Sequence, residues 1–174
     1  MVSILFTNTN CSWNKGSAAQ LVSTISILKR FLPYTNFVMI SWFPRLDLKH
    51  SKKYSVKIIG YFSKSSFEPL TYGYRILLSL IRCAFWKVLS KLHFNAISLL
   101  NERYLKTYIK ADIIIDLSGD SFADTKVTSL VNCLGILPGI LLGKPLVLFS
   151  QSIGPFKMLS YPLVKFCLNR VSMQ

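Results

Sequence analysis

Short apolar runs alternate along the chain with longer segments that have helical periodicity. The runs cover residues 2–8, 36–43, 55–62, 112–116 and 145–152. In 112–116, three consecutive isoleucines indicate a strand that is covered on both faces, as in a parallel sheet. Because strand and helix alternate, the sequence predicts an α/β, Rossmann-like domain: a parallel sheet with helices on both faces.

The helical segments have recognisable ends. Residues 17–31 place apolar side chains at three-and-four spacing, Ser17 with Gln20 fits a capping box, and Lys29 and Arg30 fall in the last turn. Two further helices are predicted over 126–142 and 159–171. The uncharged stretch 127–143 contains one Pro and three Gly, which favours a buried core helix over a membrane span.

Length and cysteine spacing limit the kinds of protein this can be. A chain of 174 residues suits one domain with a substantial core. Its four cysteines are scattered, without a CxxC pair, so the prediction is buried free thiols with neither a metal site nor a cofactor. The first apolar run, VSILF, is too short for a signal peptide, and a cytoplasmic location is expected.

Basic residues dominate the first two thirds of the chain. Residues 1–110 hold sixteen Lys and Arg against three Asp and Glu, and the whole chain has a formal charge of +14. Such a charge suits nucleic acid, anionic lipid or an anionic substrate. No zinc-finger spacing, RNP-like pattern or recognition helix supports the first, so no nucleic-acid partner is predicted.

The segment 70–100 combines an apolar helical face with basic residues. The apolar face is predicted to consist of Ile76, Leu77, Leu80, Ile81, Phe85, Val88, Leu89 and Leu92. The opposite face is predicted to carry Arg75, Arg82, Trp86, Lys87, Lys91 and His93. Two interpretations are open: a surface helix packed on the sheet, or a basic amphipathic helix on an anionic membrane or a partner. Charges recur too often for a transmembrane span.

Four of the seven acidic residues fall within DIIIDLSGDSFAD, residues 112–124. Asp112 and Asp116 bracket the predicted strand and are expected to be structural. Asp120 lies in the Gly-containing turn beyond the strand, where a carboxylate can accept hydrogen bonds from sugar hydroxyls or act as a base. Asp124 suits either a site or the N-cap of the following helix.

Two other polar turns also follow predicted strands. Asn14-Lys15-Gly16-Ser17 opens the first helix, and Gln151-Ser152-Ile153-Gly154-Pro155 follows the last strand. In open α/β sheets, ligands bind beyond the carboxyl ends of the strands. The three turns together therefore predict a binding site at that edge.

In combination these turns resemble a known family. The first loop with its Gly-Ser helix start, then DIIIDLSGDSFAD, then GKPLVLFSQSIGPF, are similar to the N-terminal half of polysaccharide pyruvyl transferases. Two positions depart from the family pattern: Ser17 stands where an acid is common, and Ser118 replaces one Gly.

The resemblance implies two Rossmann-like domains, as in GT-B glycosyltransferases. It also implies transfer of a pyruvyl group from phosphoenolpyruvate to a sugar of a cell-surface polysaccharide or its precursor, as a ketal. Residues 1–174 are expected to be the N-terminal domain, with the C-terminal donor-binding domain absent. The chain is then expected to be catalytically incomplete alone and to bind phosphoenolpyruvate only with a second domain.

The candidate site residues follow from the three turns and the resemblance. Asp120 is the candidate catalytic base. The acceptor, an oligosaccharide or a lipid-linked sugar, is expected to contact Asn14, Gly16, Ser17, Ser118, Gly119, Ser121, Asp124, Gln151, Ser152 and Gly154.

Two other functional classes stay open at this point. One is a different GT-B-type transferase that uses a nucleotide sugar. The other is a non-catalytic, truncated module that docks on a membrane or on a partner chain, which would place the protein peripherally at the membrane.

Overall fold

The computed structural model describes residues 1–12, 14–61, 69–93, 97–100, 102–119, 128–149, 152–154 and 161–171. The strands are β1 Ser3–Thr7, β2 Asn36–Ser41, β3 Lys57–Gly60, β4 Ile113–Asp116 and β5 Leu146–Leu148. The helices are α1 Lys15–Phe31, α2 Pro44–Asp47, α3 Ser51–Tyr54, α4 Pro69–Lys91, α5 Arg103–Lys110, α6 Thr128–Leu141 and α7 Tyr161–Leu168.

The five strands form one parallel sheet in the order β3-β2-β1-β4-β5. Strand β1 is central: β2 and then β3 are added on one side of it, and β4 and then β5 on the other side. The predicted Rossmann-like α/β fold is confirmed. This reversal between β1 and β4 opens a crevice at the carboxyl ends of the two strands, where such folds bind ligands.

Alternate side chains of the strands pack into two separate hydrophobic cores, one on each face of the sheet. Ile4, Phe6 and Ile115 pack with α1 on one face of the sheet. Leu5 and Ile114 pack on the other face, against side chains of α4, α5, α6 and α7. Helices therefore cover both faces, which explains the unbroken apolar centre of β4.

Helix α1 begins earlier than its pattern suggested. Its N-cap is Asn14, whose side-chain oxygen accepts a hydrogen bond from the Gly16 N–H at 2.8 Å. The predicted capping box at Ser17 and Gln20 is therefore wrong, because both lie inside the helix. Lys29 and Arg30 do occupy the last turn.

Two segments are more ordered than the sequence suggested. The charged stretch 45–53, between two predicted strands, was not assigned a helix, but it forms α2, a 3₁₀ turn and α3, and Asp47 is fully buried. Helix α5 was not predicted. Its apolar signal is short: Tyr104, Leu105 and Tyr108 are the buried residues of an eight-residue helix.

Helix α6 confirms the prediction of a buried core helix. It contains Pro138, and Ile136, Leu137 and Ile140 are buried. Gly139 lets it approach the sheet, since a Cβ there would lie 2.4 Å from Cδ1 of Ile114. Of the helices in the described part of the chain, none is long and apolar enough to cross a membrane.

The four cysteines are free and buried, as predicted. The thiol of Cys133 in α6 interacts with that of Cys167 in α7, and this neighbour and burial raise the pKa of Cys133. They lie in the core that these helices share with the sheet.

Helix α4 is oriented differently from the prediction. Among the residues of α4 whose burial is described, 74–91, Ser79 and Cys83 are buried, and Trp86, which was placed on the basic face, packs against the core. By contrast Leu77 and Phe85, from the predicted apolar face, are more than half exposed.

Candidate functional site

A cleft of about 410 Å³ lies beyond the carboxyl ends of β1 and β4. It is lined by Asn8, Thr9, Asn10, Asn14, Gly16, Ser17, Gln20, Trp42, Phe43, Ser118, Gly119, Val131 and Asn132. The lining therefore joins the segment after β1, the start of α1, the end of β2, the turn after β4 and the first turns of α6.

Asp116 ends β4 at the base of this region and is 0% exposed. Its Oδ1 accepts hydrogen bonds from the Ser118 N–H at 3.0 Å and from Ser118 Oγ at 2.5 Å. Its Oδ2 accepts from Thr7 Oγ1 at 3.2 Å and from Asn8 Nδ2 at 2.5 Å. The carboxylate thus holds together the two strand ends that flank the crevice.

Burial and hydrogen bonding act in opposite directions on this carboxyl group. Burial disfavours the charged form, while the donors from Ser118, Asn8 and Thr7 favour it. Burial is the larger effect and raises the pKa of Asp116 from 3.8 to about 6. The group is therefore poised to change its protonation state just below neutral pH.

Asn8 connects Asp116 to α6. Its backbone has a φ of 53°, a left-handed conformation that Asn tolerates better than most residues. Its Nδ2 also donates to the backbone carbonyl of Asn132 at 2.8 Å. The amide fits there because residue 135 is Gly: a Cβ at that position would lie 2.0 Å from Asn8 Oδ1.

Several buried polar atoms around the cleft have no hydrogen-bond partner among the described residues. Thr9 Oγ1 and Asn132 Nδ2 are of this kind, on side chains that are 3% and 8% exposed. Leaving such groups unpaired costs free energy, and unpaired groups in native proteins commonly serve a ligand or a bound water. Both groups belong to residues that line the cleft.

A second buried carboxylate fixes the loop after β1. Asp47 Oδ1 accepts hydrogen bonds from the Cys11 N–H at 3.0 Å and from Ser12 Oγ at 2.5 Å. Its Oδ2 accepts from Ser41 Oγ, also at 2.5 Å. This role of Asp47 was not predicted from the sequence. A lone Asp beside two leucines in an otherwise basic segment was the only available signal.

The turn after β5 joins the turn after β4. The Ser152 N–H donates to the Gly119 carbonyl at 2.9 Å, and Gln20 Nε2 of α1 donates to the Phe149 carbonyl at 3.5 Å. Gly119 and Gly154 have φ values of 69° and 93°, which favour Gly at both positions. The described parts of the three predicted turns, 14–17, 117–119 and 152–154, therefore lie at one edge of the sheet.

The predicted site residues fall into three groups. Asn14, Gly16, Ser17, Ser118 and Gly119 line the cleft. Ser152 and Gly154 lie beside it in the neighbouring turn and are not part of its lining. Four predicted residues lie outside the described part of the chain: Asp120, Ser121, Asp124 and Gln151.

The other two carboxylates of the acidic stretch, Asp112 and Asp116, lie at opposite ends of β4. Asp112 lies just before β4, where its Oδ2 accepts a hydrogen bond from the Ser3 N–H at 2.8 Å, so its predicted structural role is confirmed. Asp116 is structural as predicted, and it also supports the cleft through Asn8 and Ser118.

The lining is neutral and contains two aromatic side chains. None of the described residues that form it is Lys, Arg, Asp or Glu. Trp42 and Phe43 follow β2, and the sequence analysis did not place them in the site. Within the described ranges, no three His, Cys, Asp or Glu side chains are grouped as metal ligands.

Comparison of the chain with protein-family models, with curated proteins and with solved structures found no match. Assignment of a function therefore depends on the residues of the chain and on the geometry of the cleft.

Proposed function

We propose that this domain binds the sugar acceptor of a polysaccharide pyruvyl transferase. One observation carries the proposal: amide and hydroxyl groups converge in a cleft at the β1–β4 crevice whose described lining is neutral, and some of these groups are buried without a partner among the described residues. Two of the three turns that resemble the family, 14–17 and 117–119, contribute to that cleft.

The chemistry of the lining favours an uncharged polyol. Sugar hydroxyls both donate and accept hydrogen bonds, which suits the Thr9 hydroxyl and the amides of Asn14 and Asn132. The aromatic rings of Trp42 and Phe43 offer apolar faces for the C–H groups of a sugar ring. A phosphate or carboxylate would instead require cations, and the described lining supplies none.

The reaction needs two acceptor hydroxyls close together. Both oxygens bond to the central carbon of the pyruvyl group and the bond from that carbon to the phosphate oxygen breaks. One hydroxyl proton ends on the methylene carbon, which becomes a methyl group, and the other leaves with phosphate. On this proposal the cleft orients the two hydroxyls and Asp120 acts as the base that removes a proton.

Binding of sugars to residues 1–174 tests the proposal directly. Oligosaccharides containing galactose, mannose or N-acetylhexosamine should perturb the fluorescence of the chain or its NMR spectrum, and at least one class should bind. Phosphoenolpyruvate should bind more weakly than that sugar. Tighter binding of a nucleotide sugar than of any free oligosaccharide would favour a different GT-B-type transferase, and no sugar binding at all would contradict the proposal.

Removing either unpaired group should weaken sugar binding without weakening the fold. Thr9→Val and Asn132→Leu each delete one hydrogen-bonding group at nearly constant volume, so we expect about a tenfold loss of affinity. Because neither group has a partner among the described residues, stability to urea should stay equal or rise. Titration of the best-binding sugar and urea denaturation measure the two effects.

Thr24→Val is the matched control for Thr9→Val. Thr24 is also buried, but it lies on α1 outside the cleft lining and its Oγ1 donates to the Gln20 carbonyl at 2.7 Å. This variant should keep its sugar affinity. Equal loss of affinity in both Thr variants would argue against a direct contact by Thr9.

A further inference from the structure

Helix α4 exposes a continuous apolar stripe to solvent. Its members are at least 55% exposed: Tyr74, Leu77, Ile81, Phe85, Val88 and Leu92. Their spacing of three or four residues places them on one side of the helix. At 1.5 Å per residue, the stripe from residue 74 to residue 92 is about 27 Å long.

The opposite side of the helix holds it on the domain. Ser79 and Cys83 are 1% and 0% exposed, and Ile76, Leu80 and Trp86 pack against the core. The exposed stripe is therefore additional to the face that stabilises the fold. An apolar surface of this length on a monomer commonly marks an interaction site.

Basic side chains flank the stripe on both sides. At about 100° per residue, Lys87 and Lys91 lie on one flank and Arg75 and Arg82 on the other. Lys87 and Lys91 are exposed, whereas Arg82 is half-buried and pairs with Glu102 at 3.0 Å. No acidic residue occurs between Glu68 and Glu102, so the exposed face of α4 is apolar and cationic.

Charge complementarity identifies the occupant. A second copy of a chain with a formal charge of +14 would bring like charges together, which disfavours self-association through this face. An anionic bilayer offers both an apolar interior for the stripe and negative headgroups for the flanking lysines. Lysine stems can also extend along apolar surface while the ammonium groups stay at the headgroups.

We propose that α4 lies in the plane of an anionic lipid surface, with the stripe 74–92 inserted at the boundary between headgroups and acyl chains. This arrangement is that of an interfacial amphipathic helix. It does not depend on the ligand of the cleft.

Sedimentation of residues 1–174 with lipid vesicles tests the proposal. The chain should bind vesicles containing phosphatidylglycerol and phosphatidylcholine at least about tenfold more tightly than vesicles of phosphatidylcholine alone. Raising the NaCl concentration from 50 to 500 mM should weaken the binding, because salt screens the interaction with headgroups.

Two double variants separate the apolar and electrostatic contributions. Ile81→Ser with Phe85→Ser should lower binding to anionic vesicles at least about tenfold by removing apolar area from the stripe. Lys87→Gln with Lys91→Gln should lower it by a similar factor at 50 mM NaCl and much less at 500 mM. All four side chains are exposed, so urea stability should be unchanged, and a variant that unfolds would be replaced by the single Phe85→Ser.

Matched controls lie elsewhere on the surface. Phe31→Ser with Tyr34→Ser changes two side chains that are 77% and 83% exposed, and Lys29→Gln with Lys52→Gln removes two exposed charges. These variants should bind vesicles like the original chain. Three results would overturn the proposal: no binding to anionic vesicles, equal losses in variants and controls, or a concentration-dependent dimer that Phe85→Ser dissociates.

Discussion

Gly135→Ala should lower the free energy of unfolding by about 2–4 kcal/mol. The new Cβ would lie 2.0 Å from Oδ1, 2.7 Å from Cγ and 2.8 Å from Nδ2 of Asn8, so the whole amide must move. Moving it breaks the hydrogen bonds from Nδ2 to the Asp116 carboxylate and to the Asn132 carbonyl. A hydrogen bond to a charged group contributes about 1.5–3 kcal/mol and a neutral one about 1 kcal/mol.

When Asn8 is replaced by Gly, Gly135→Ala should instead raise the free energy of unfolding. Asn8→Gly removes the amide and accepts the left-handed backbone at that position. Without the clash, Ala at position 135 is a better helix residue than Gly and should stabilise α6 by about 0.5–1 kcal/mol. Urea denaturation of the original chain, the two single variants and the double variant measures all four free energies.

The cycle also tests how the cleft is built. If Gly135→Ala destabilised both backgrounds equally, the cost would come from elsewhere in α6, and Asn8 would not be the contact that requires Gly. If the predicted reversal is found, Gly135 is needed because it lets α6 approach the end of β1. Asn8, Asp116 and Asn132 would then act as one unit that shapes the floor of the cleft.

The sequence predicted the sheet because its strands carry a strong, local signal. Three isoleucines in succession can be buried only where both faces are covered, and β4 has that environment. Ends of elements were less well predicted. The residue that caps α1 is Asn14 and not Ser17, because a capping box depends on side-chain geometry that two correctly spaced residues do not guarantee.

Long-range contacts explain most of what the sequence analysis missed in the cleft. The buried carboxylate of Asp47 accepts hydrogen bonds from Cys11 and Ser12, which lie more than thirty positions earlier in the chain. Asn132 and Trp42 enter the cleft because the sheet order places β1 between β2 and β4. The residues next to Asn132 and Trp42 in the sequence give no sign that these two side chains line the same cleft.

Helix α4 shows a different limit of sequence patterns. Its apolar residues cover more than half of the helix circumference, so periodicity could not determine which side faces the core. Contact with α6 selects the side with Ser79 and Cys83, where small side chains allow close packing. The larger apolar side chains are consequently left outside.

Asp116 should make the stability of the chain fall as the pH rises from about 4 to 7. Its pKa is about 6 in the folded chain and 3.8 in the reference state. Between these values the folded state keeps the proton while the unfolded state releases it, so raising the pH favours unfolding. At 1.36 kcal/mol per pKa unit, the loss is roughly 3 kcal/mol, complete somewhat above pH 6. Because the carboxyl group is 0% exposed, solvent screening should reduce this value little.

Comparison with Asp116→Asn isolates this contribution from that of the other six acidic residues. Urea denaturation of both proteins at intervals from pH 4 to 7.5 gives the difference in unfolding free energy at each pH. The stability of the original chain relative to the variant should fall by roughly 3 kcal/mol across this range. Asp112→Asn is the control, because it removes a carboxylate that is exposed to solvent. A difference that stays constant would show that hydrogen bonds from Ser118, Asn8 and Thr7 balance the cost of burying the charge. One that grows in favour of the original chain as the pH rises would show that they outweigh it.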